Sequence, residues 1–447
     1  MITNFLLAGI LISGLLIFIF TTFLIWNKPV LIIYLQLGFC YFSRFLVHQI
    51  GLPDPLKYLS DYLTMILLLQ IFLHFTKTKN LNIRKPLLFF VIYAAVAVIS
   101  TVYNRSSLLF FFWGMRLNFR FFIFFFACVI FLRKDDIDKL IKFQLYLLPV
   151  NMAIILFQYF VQGLRFDFLG GLFGNQESCN SELNLYMFLM ATITIVFYAI
   201  KKINLFLFTI NIAMVSLTAA LSELKILYVV IPFIVFVAFI FYFPNTRIIK
   251  AGFIIVLLLI SSFSILLIVY PHWRVQLSTI EDIIFNTAKT EYNHAFSLSR
   301  MTAGPYLFQN VLTIPSQRLL GIGFGNAGNF LNFESSFFIR YGMLNYDIFH
   351  YAYILAEIGI IGLAAYCIFF MSISYESIRI KRIINYESGF YCCISFIVSL
   401  LVLVFIVYHP SMYMDGAFIF YFPLTFPFII EKELNEGNLI LKYNTEN

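Results

Sequence analysis

Charge is what this chain has least of. Only 12% of its 447 residues are Asp, Glu, Lys or Arg, while 62% are hydrophobic. A water-soluble domain carries about 25% charged residues. So few charges cannot cover so apolar a core in water, which leaves lipid as the solvent. Paired cysteine motifs are missing too. Cys40, Cys128, Cys179, Cys367, Cys392 and Cys393 show no CxxC or CxxC…HxxxH spacing, and five of them fall in apolar runs, which argues against a disulfide framework or a zinc site. No Lys/Arg-rich patch sits on a polar domain, so the net charge of +8 does not indicate a nucleic-acid partner. It fits the basic residues that collect in the cytoplasmic loops of membrane proteins. The N-terminal MITNFLLAGILISGLLIF has no basic n-region and no clear small-residue cleavage site, and it reads as a retained span. A low-complexity linker, an internal repeat and an Asp-rich metal motif are likewise absent from the sequence.

What is present is a succession of apolar runs, each long enough to cross about 30 Å of hydrocarbon as a helix. A closed barrel needs alternating strands of about 10 residues, and runs such as 252–270 do not alternate. The expected fold is therefore all-α, a polytopic transmembrane helix bundle of twelve or thirteen spans forming one domain over 1–447. The spans fall at 4–26, 29–50, 58–75, 86–103, 116–132, 139–161, 183–200, 203–220, 226–243, 249–270, 347–373, 389–408 and 414–430. Pro423 and Pro427 mark the last as tilted, broken or re-entrant. The odd-numbered loops and the C-terminal tail hold 18 of the 30 Lys and Arg residues, and the short even-numbered loops hold 5. That asymmetry puts the odd loops in the cytoplasm and the large loop 271–345 outside.

With that topology, the ionisable residues gather toward the outer face. His48, His272, His294, His350 and His409 lie there, as do Arg44, Asp61, Arg116, Arg120, Glu177, Glu182, Glu223, Lys225 and Glu357. Such groups at membrane depth are costly and mark a protein interior or a wet cavity. The competing reading is paired structural charges and snorkelling interfacial residues.

Four segments carry most of this signal. Arg116 and Arg120 are four residues apart and share a helix face, where two guanidiniums can grip a diphosphate bidentately; an interfacial anchor is the alternative. The run Gly170–Glu182, with Asn175 at its centre, reads either as a substrate-lining turn or as an ordinary capped external loop. Glu223 and Lys225 interrupt an apolar stretch. On one helix they do not face each other, so each is expected to meet a partner elsewhere, unless the segment is a tight turn. The outer loop contributes Arg300 and GIGFGN at 321–326. That glycine run follows no strand, so it is no dinucleotide fingerprint, and it reads as a flexible or close-packed loop. His350 opens the next span, with Glu357 seven residues on, about 10 Å deeper by helical rise; the pair suits acid–base work or ligand orientation.

In this order and spacing, Arg116 and Arg120, Gly174-Asn175, Arg300, GIGFGN and His350 with Glu357 and Gly359 resemble the Wzy-type O-antigen or polysaccharide polymerases, in the superfamily they share with the O-antigen ligases. The likeness is one of topology along nearly the full length. The resemblance implies a GT-C-like membrane glycosyltransferase, independent of metal and of any other cofactor, in a bacterial inner membrane with its site facing the periplasm. It would transfer a glycan from its undecaprenyl diphosphate to the terminal sugar hydroxyl of another lipid-linked unit. Its partners would be undecaprenyl-diphosphate-linked oligosaccharide, membrane lipid and a chain-length regulator. The implied roles are diphosphate binding by Arg116, Arg120 and Arg300 with Lys225 and Asn175 assisting, and a base among His350, Glu357 and Glu223. The ligases carry a second polar residue beside the histidine, and here the run is Phe349-His350-Tyr351-Ala352, which favours polymerase over ligase. A flippase is the reading from another class, but it needs access from both faces, and the charges here are biased to one.

Overall fold

A computed structural model describes residues 26–74, 82–242, 245–271, 298–330, 333–385 and 388–437. Nearly all of the expected first span 4–26, and the loop segment with His272 and His294, lie outside the described residues. Among the described residues nine helices are long and apolar enough to cross a membrane, and the chain is an all-α polytopic bundle. The helices are α1 (Pro29–Arg44), which continues as a π turn to Gln49, α2 (Leu59–Leu73), α3 (Arg84–Tyr103), α4 (Leu108–Phe131) and α5 (Lys134–Phe160). They continue with α6 (Asn180–Ala199), α7 (Leu205–Leu221), α8 (Leu227–Phe241) and α9 (Thr246–Val269). After the outer loop, with its short helices α10 (Pro315–Leu320) and α11 (Ser336–Tyr341), come α12 (His350–Lys381), α13 (Gly389–Tyr408), α14 (Ala417–Leu424) and α15 (Phe426–Asn435).

Local sequence sets several helix starts. The side chains of Ser107, Asn204 and Asn245 accept from the free N–H groups of the first turns of α4, α7 and α9. A helix apolar on every side belongs in a core, and α6 is that helix: all of 181–199 is buried. The phenylalanines of α4 pack in edge-on pairs with other helices, such as Phe122 on Phe369 of α12 at 4.8 Å.

The two ends of the bundle differ in kind. At one end Tyr34 donates to Asp136, Tyr391 donates to Asp138, Arg379 pairs with Glu431, and Asn245 donates to the Ala199 carbonyl. These contacts bring several of the connections expected to be basic to the same end of the bundle. The last expected span is broken. Thr425 separates α14 from α15, with Pro423 and Pro427 on either side, where two missing N–H donors interrupt the ladder.

The outer loop is not featureless. Its described part makes a cap around Leu298, Leu307, Val311, Tyr346 and Phe349, with β1 (Asn329–Phe330) and β2 (Phe333–Glu334) paired antiparallel. The GIGFGN run is close-packed. Gly323 and Gly325 take positive φ, and Gly325 rests on Gly114 and the Phe110 carbonyl of α4.

The cap also reshapes α12. Gly359 has φ +65°, which frees the carbonyls of Ala356 and Glu357 from the helical ladder. The N–H groups of Ile322 and Gly323 take them, at 2.9 and 3.1 Å. A straight helix would hold His350 and Tyr366 about 24 Å apart; their Nε2 and hydroxyl are 3.2 Å apart. The limbs 350–358 and 360–381 therefore fold back on each other. This corrects the expected depths. Tyr366 packs on Phe122 and Tyr93, and Phe122 is about 21 Å along α4 by helical rise. The Glu357 carbonyl instead accepts from Ser100, near the C-terminal end of α3, at 3.0 Å. His350 is the deep residue and Glu357 the one at the rim.

Candidate functional site

Three arginines and three carboxylates meet where α1, α2, α4, α6 and the connection into α14 converge. Arg44, the last residue of α1, pairs with Glu182 in the first turn of α6 at 2.9 Å. Arg116 places both Nε and Nη2 on one oxygen of Asp61, at 2.8 and 2.7 Å. One turn further along α4, Arg120 reaches Asp61 at 3.3 Å and Asp415 at 2.7 Å, and donates to the Tyr413 carbonyl at 3.0 Å. Gly416 closes the ring by donating its N–H to Glu182 at 2.9 Å, and a Cβ there would crowd the glutamate. The formal charges of the six side chains cancel. Glu182 is fully buried and Arg120 nearly so, while the Arg44, Arg116, Asp61 and Asp415 side chains are partly exposed, at 28%, 27%, 18% and 17%.

Tyr413 joins this layer to the folded-back arm of α12. Its carbonyl holds Arg120, its hydroxyl donates to the Asp347 carbonyl at 2.7 Å, and its ring lies against His350 at 5.3 Å and Tyr353 at 5.5 Å. His350 is buried, with Nδ1 lacking a hydrogen-bond partner. At the other end of the arm the buried Glu357 carboxyl faces the Tyr353 hydroxyl and the N–H groups of Gly325 and Ala327.

Arg300 enters from the cap. Its Nε donates to the Tyr408 carbonyl at 3.1 Å and its guanidinium lies 4.4 Å over the Tyr408 ring, while its own carbonyl accepts from Tyr351. The adjacent His409 bonds Ser181 at 2.8 Å through Nε2. Burial, and then the nearby Arg300 charge, push the His409 imidazole down to about 3, so it is neutral at physiological pH.

The structure thus brings together Arg116 and Arg120, which Tyr413 links to His350; Arg300 sits apart from that cluster, on Tyr408 beside His409, and Glu357 is at the far end of the His350 arm. Asn175 is half-buried next to Gly174, which packs on the backbone of Arg44. The turn that holds it is fastened to α5, because Gln158 and Asn151 accept from the N–H groups of Gly171 and Leu172. Glu223 and Lys225 lie in the turn between α7 and α8. Glu223 is left-handed (φ +57°), and that turn geometry, unlike a helix, lets the pair face each other at 3.5 Å. Their neighbours include Tyr270 of the α9 end. Asp415 and Tyr413 were not singled out from sequence. The available signal was the Asp-Gly pair between two apolar runs, hidden by a span drawn from 414.

No protein-family model, curated protein or solved structure matches the chain. Planar guanidiniums bind phosphate oxygens bidentately, and carboxylates beside them can accept protons. Among the described residues no group of three or more His, Cys, Asp or Glu side chains is placed to share a metal ion.

Proposed function

We propose that this chain is a membrane-embedded glycosyltransferase that polymerises oligosaccharide units carried on a lipid diphosphate, undecaprenyl diphosphate in a bacterial inner membrane. The observation that carries the reading is the convergence of Arg116 and Arg120, one turn apart on α4, on Asp61, within a charge cluster that is partly exposed.

In the reaction the acceptor sugar hydroxyl bonds to the anomeric carbon of the donor. The bond from that carbon to the diphosphate oxygen breaks, and the diphosphate leaves with the electron pair on its lipid. Arg116 and Arg120, with Arg300 from the cap, bind the diphosphate and stabilise its growing charge. The incoming phosphates take over the guanidiniums now held by Asp61 and Asp415, and a carboxylate so released accepts the hydroxyl proton. His350 and Glu357 act as positioning residues. His350 braces Tyr413, whose carbonyl aligns Arg120, and Glu357 anchors the glycine loop that folds the arm back.

The test is an assay in liposomes with a lipid-diphosphate-linked repeat unit as sole substrate, read as a gel ladder. The expected result is a ladder that forms with a chelator present and disappears in Arg120→Ala. A normal ladder from a folded Arg120→Ala protein would sink the proposal. Transfer only when a lipid core acceptor is supplied would replace it with a ligase.

A further inference from the structure

At the basic end of the bundle, far from the arginine–carboxylate cluster, a lateral cleft of about 570 Å³ opens between α8, α12 and α13. Its walls are apolar: Phe233, Val237 and Ile240 from α8, Ile378 from α12, and Phe396 and Leu400 from α13. Lys381 and Arg382 stand at its mouth. Leu400 is eleven residues into α13, so the cleft reaches about 16 Å into the bundle by helical rise, which is one leaflet of a hydrocarbon core about 30 Å thick. Lys381 is held at the rim by the Phe241 carbonyl and ring, while Arg382 is exposed. The cleft therefore combines a slot of one acyl chain's depth with two cations at headgroup level.

We infer that this cleft is a binding site for one anionic phospholipid, its chain lying between α8 and α13 and its phosphate on Lys381 and Arg382. Lipid that merely coats the bundle contacts exposed side chains without regard to headgroup. A slot with paired cations at its mouth selects for net negative charge, and each Lys or Arg near such a headgroup favours it severalfold. Ile240, Phe233 and Ile378 are exposed along the cleft, which is the surface a chain would cover.

The experiment uses the full-length detergent-purified protein with phosphatidylglycerol or phosphatidylcholine of identical chains, and counts retained lipid by native mass spectrometry. One phosphatidylglycerol should be held roughly tenfold or more tighter than phosphatidylcholine. The double variant K381Q/R382Q should bring the two lipids to near parity. Val237→Trp, which fills the slot, should reduce retention of both. Arg382→Gln alone removes an exposed cation with little risk to folding, and should lose part of the preference. Equal retention by the unaltered protein, or a preference that survives the double variant, overturns the inference. Because the readout is binding and not polymer formation, its failure leaves the polymerase reading where it stood, and the reverse also holds.

Discussion

The two ends of this bundle arrange their cations differently. At the basic end, Lys432 donates to the carbonyls of Val129, Ile130 and Leu132, where α4 terminates, and Lys381 does the same for the last carbonyl of α8. Those cations satisfy helix C-termini, which need donors and carry partial negative charge. At the other end Arg44, Arg116 and Arg120 are held by side-chain carboxylates drawn from three separate stretches of chain. A carbonyl at a helix end is fixed in place, whereas a carboxylate on a side chain can let its partner go. Arg379 at the basic end is held by carboxylates too, Glu376 and Glu431; what marks the other end is three arginines sharing three carboxylates in one cluster, where one anion can exchange for another.

The strongest way to break this contrast is to remove the central guanidinium. Arg120→Ala leaves Asp61 and Asp415 without their buried partner, a loss of about 3–5 kcal/mol, and should abolish the polymer ladder. The double variant R120A/D415N separates the two effects. Relieving the stranded charge should raise the melting temperature again, while the ladder stays absent. Recovery of the ladder in the double variant would make the cluster purely structural.

Next in size is the turn of α12. A Cβ at Gly359 would collide with the Leu319 carbonyl and sits at positive φ, and such strain costs about 1–3 kcal/mol before any clash is counted. Gly359→Ala should loosen the cap, exposing 298–346 to proteolysis and weakening the ladder through loss of Tyr413 support. An intact cap with an unchanged ladder would show that the folded-back arm does not serve the site.

The all-α bundle and the clustering of charges were legible because hydropathy and loop charge are local properties that lipid enforces on the backbone; among the described residues nine of the expected thirteen spans are helices long enough to cross. Arg116 and Arg120 were legible because helical spacing puts them on one face. The reversal at Gly359 was not, since the period of an apolar run says nothing about a single residue in the left-handed region. His350 and Glu357 were therefore given opposite depths from those the structure assigns. Asp415 escaped for a related reason: its meaning lies in Arg120, distant in sequence, and no pattern around it points there.

The basic end supplies the comparison for a smaller effect. Lys432→Met removes a cation bonded to three carbonyls and should cost about 2 kcal/mol. Thermal melting should register it, and the ladder per folded molecule should be unchanged. A lost ladder at unchanged stability would give that end a share in the chemistry.

His409 gives a pH-dependent readout of the site end. Its imidazole titrates near 3 when folded, against 6.5 for an ordinary histidine. Between those values the unfolded chain binds a proton that the folded chain does not. Stability contributed by the neutral ring is complete above about pH 6.5 and declines as pH falls toward 3. In His409→Gln the melting temperature should fall less steeply across that window than in the unaltered protein, and parallel curves would refute the burial argument.

The smallest effect belongs to the pair that sequence made conspicuous. Lys225 and Glu223 face each other across a turn with the lysine side chain 38% exposed, and exposed pairs contribute about 0–1 kcal/mol. Lys225→Ala should therefore shift the melting temperature little and leave the ladder intact, because its charge is met locally and not by the cluster on α4. A ladder lost in this variant at unchanged stability would move part of the anion site to the α7–α8 turn. The carboxylate-held arginines would then be one half of a larger surface, not the whole of it.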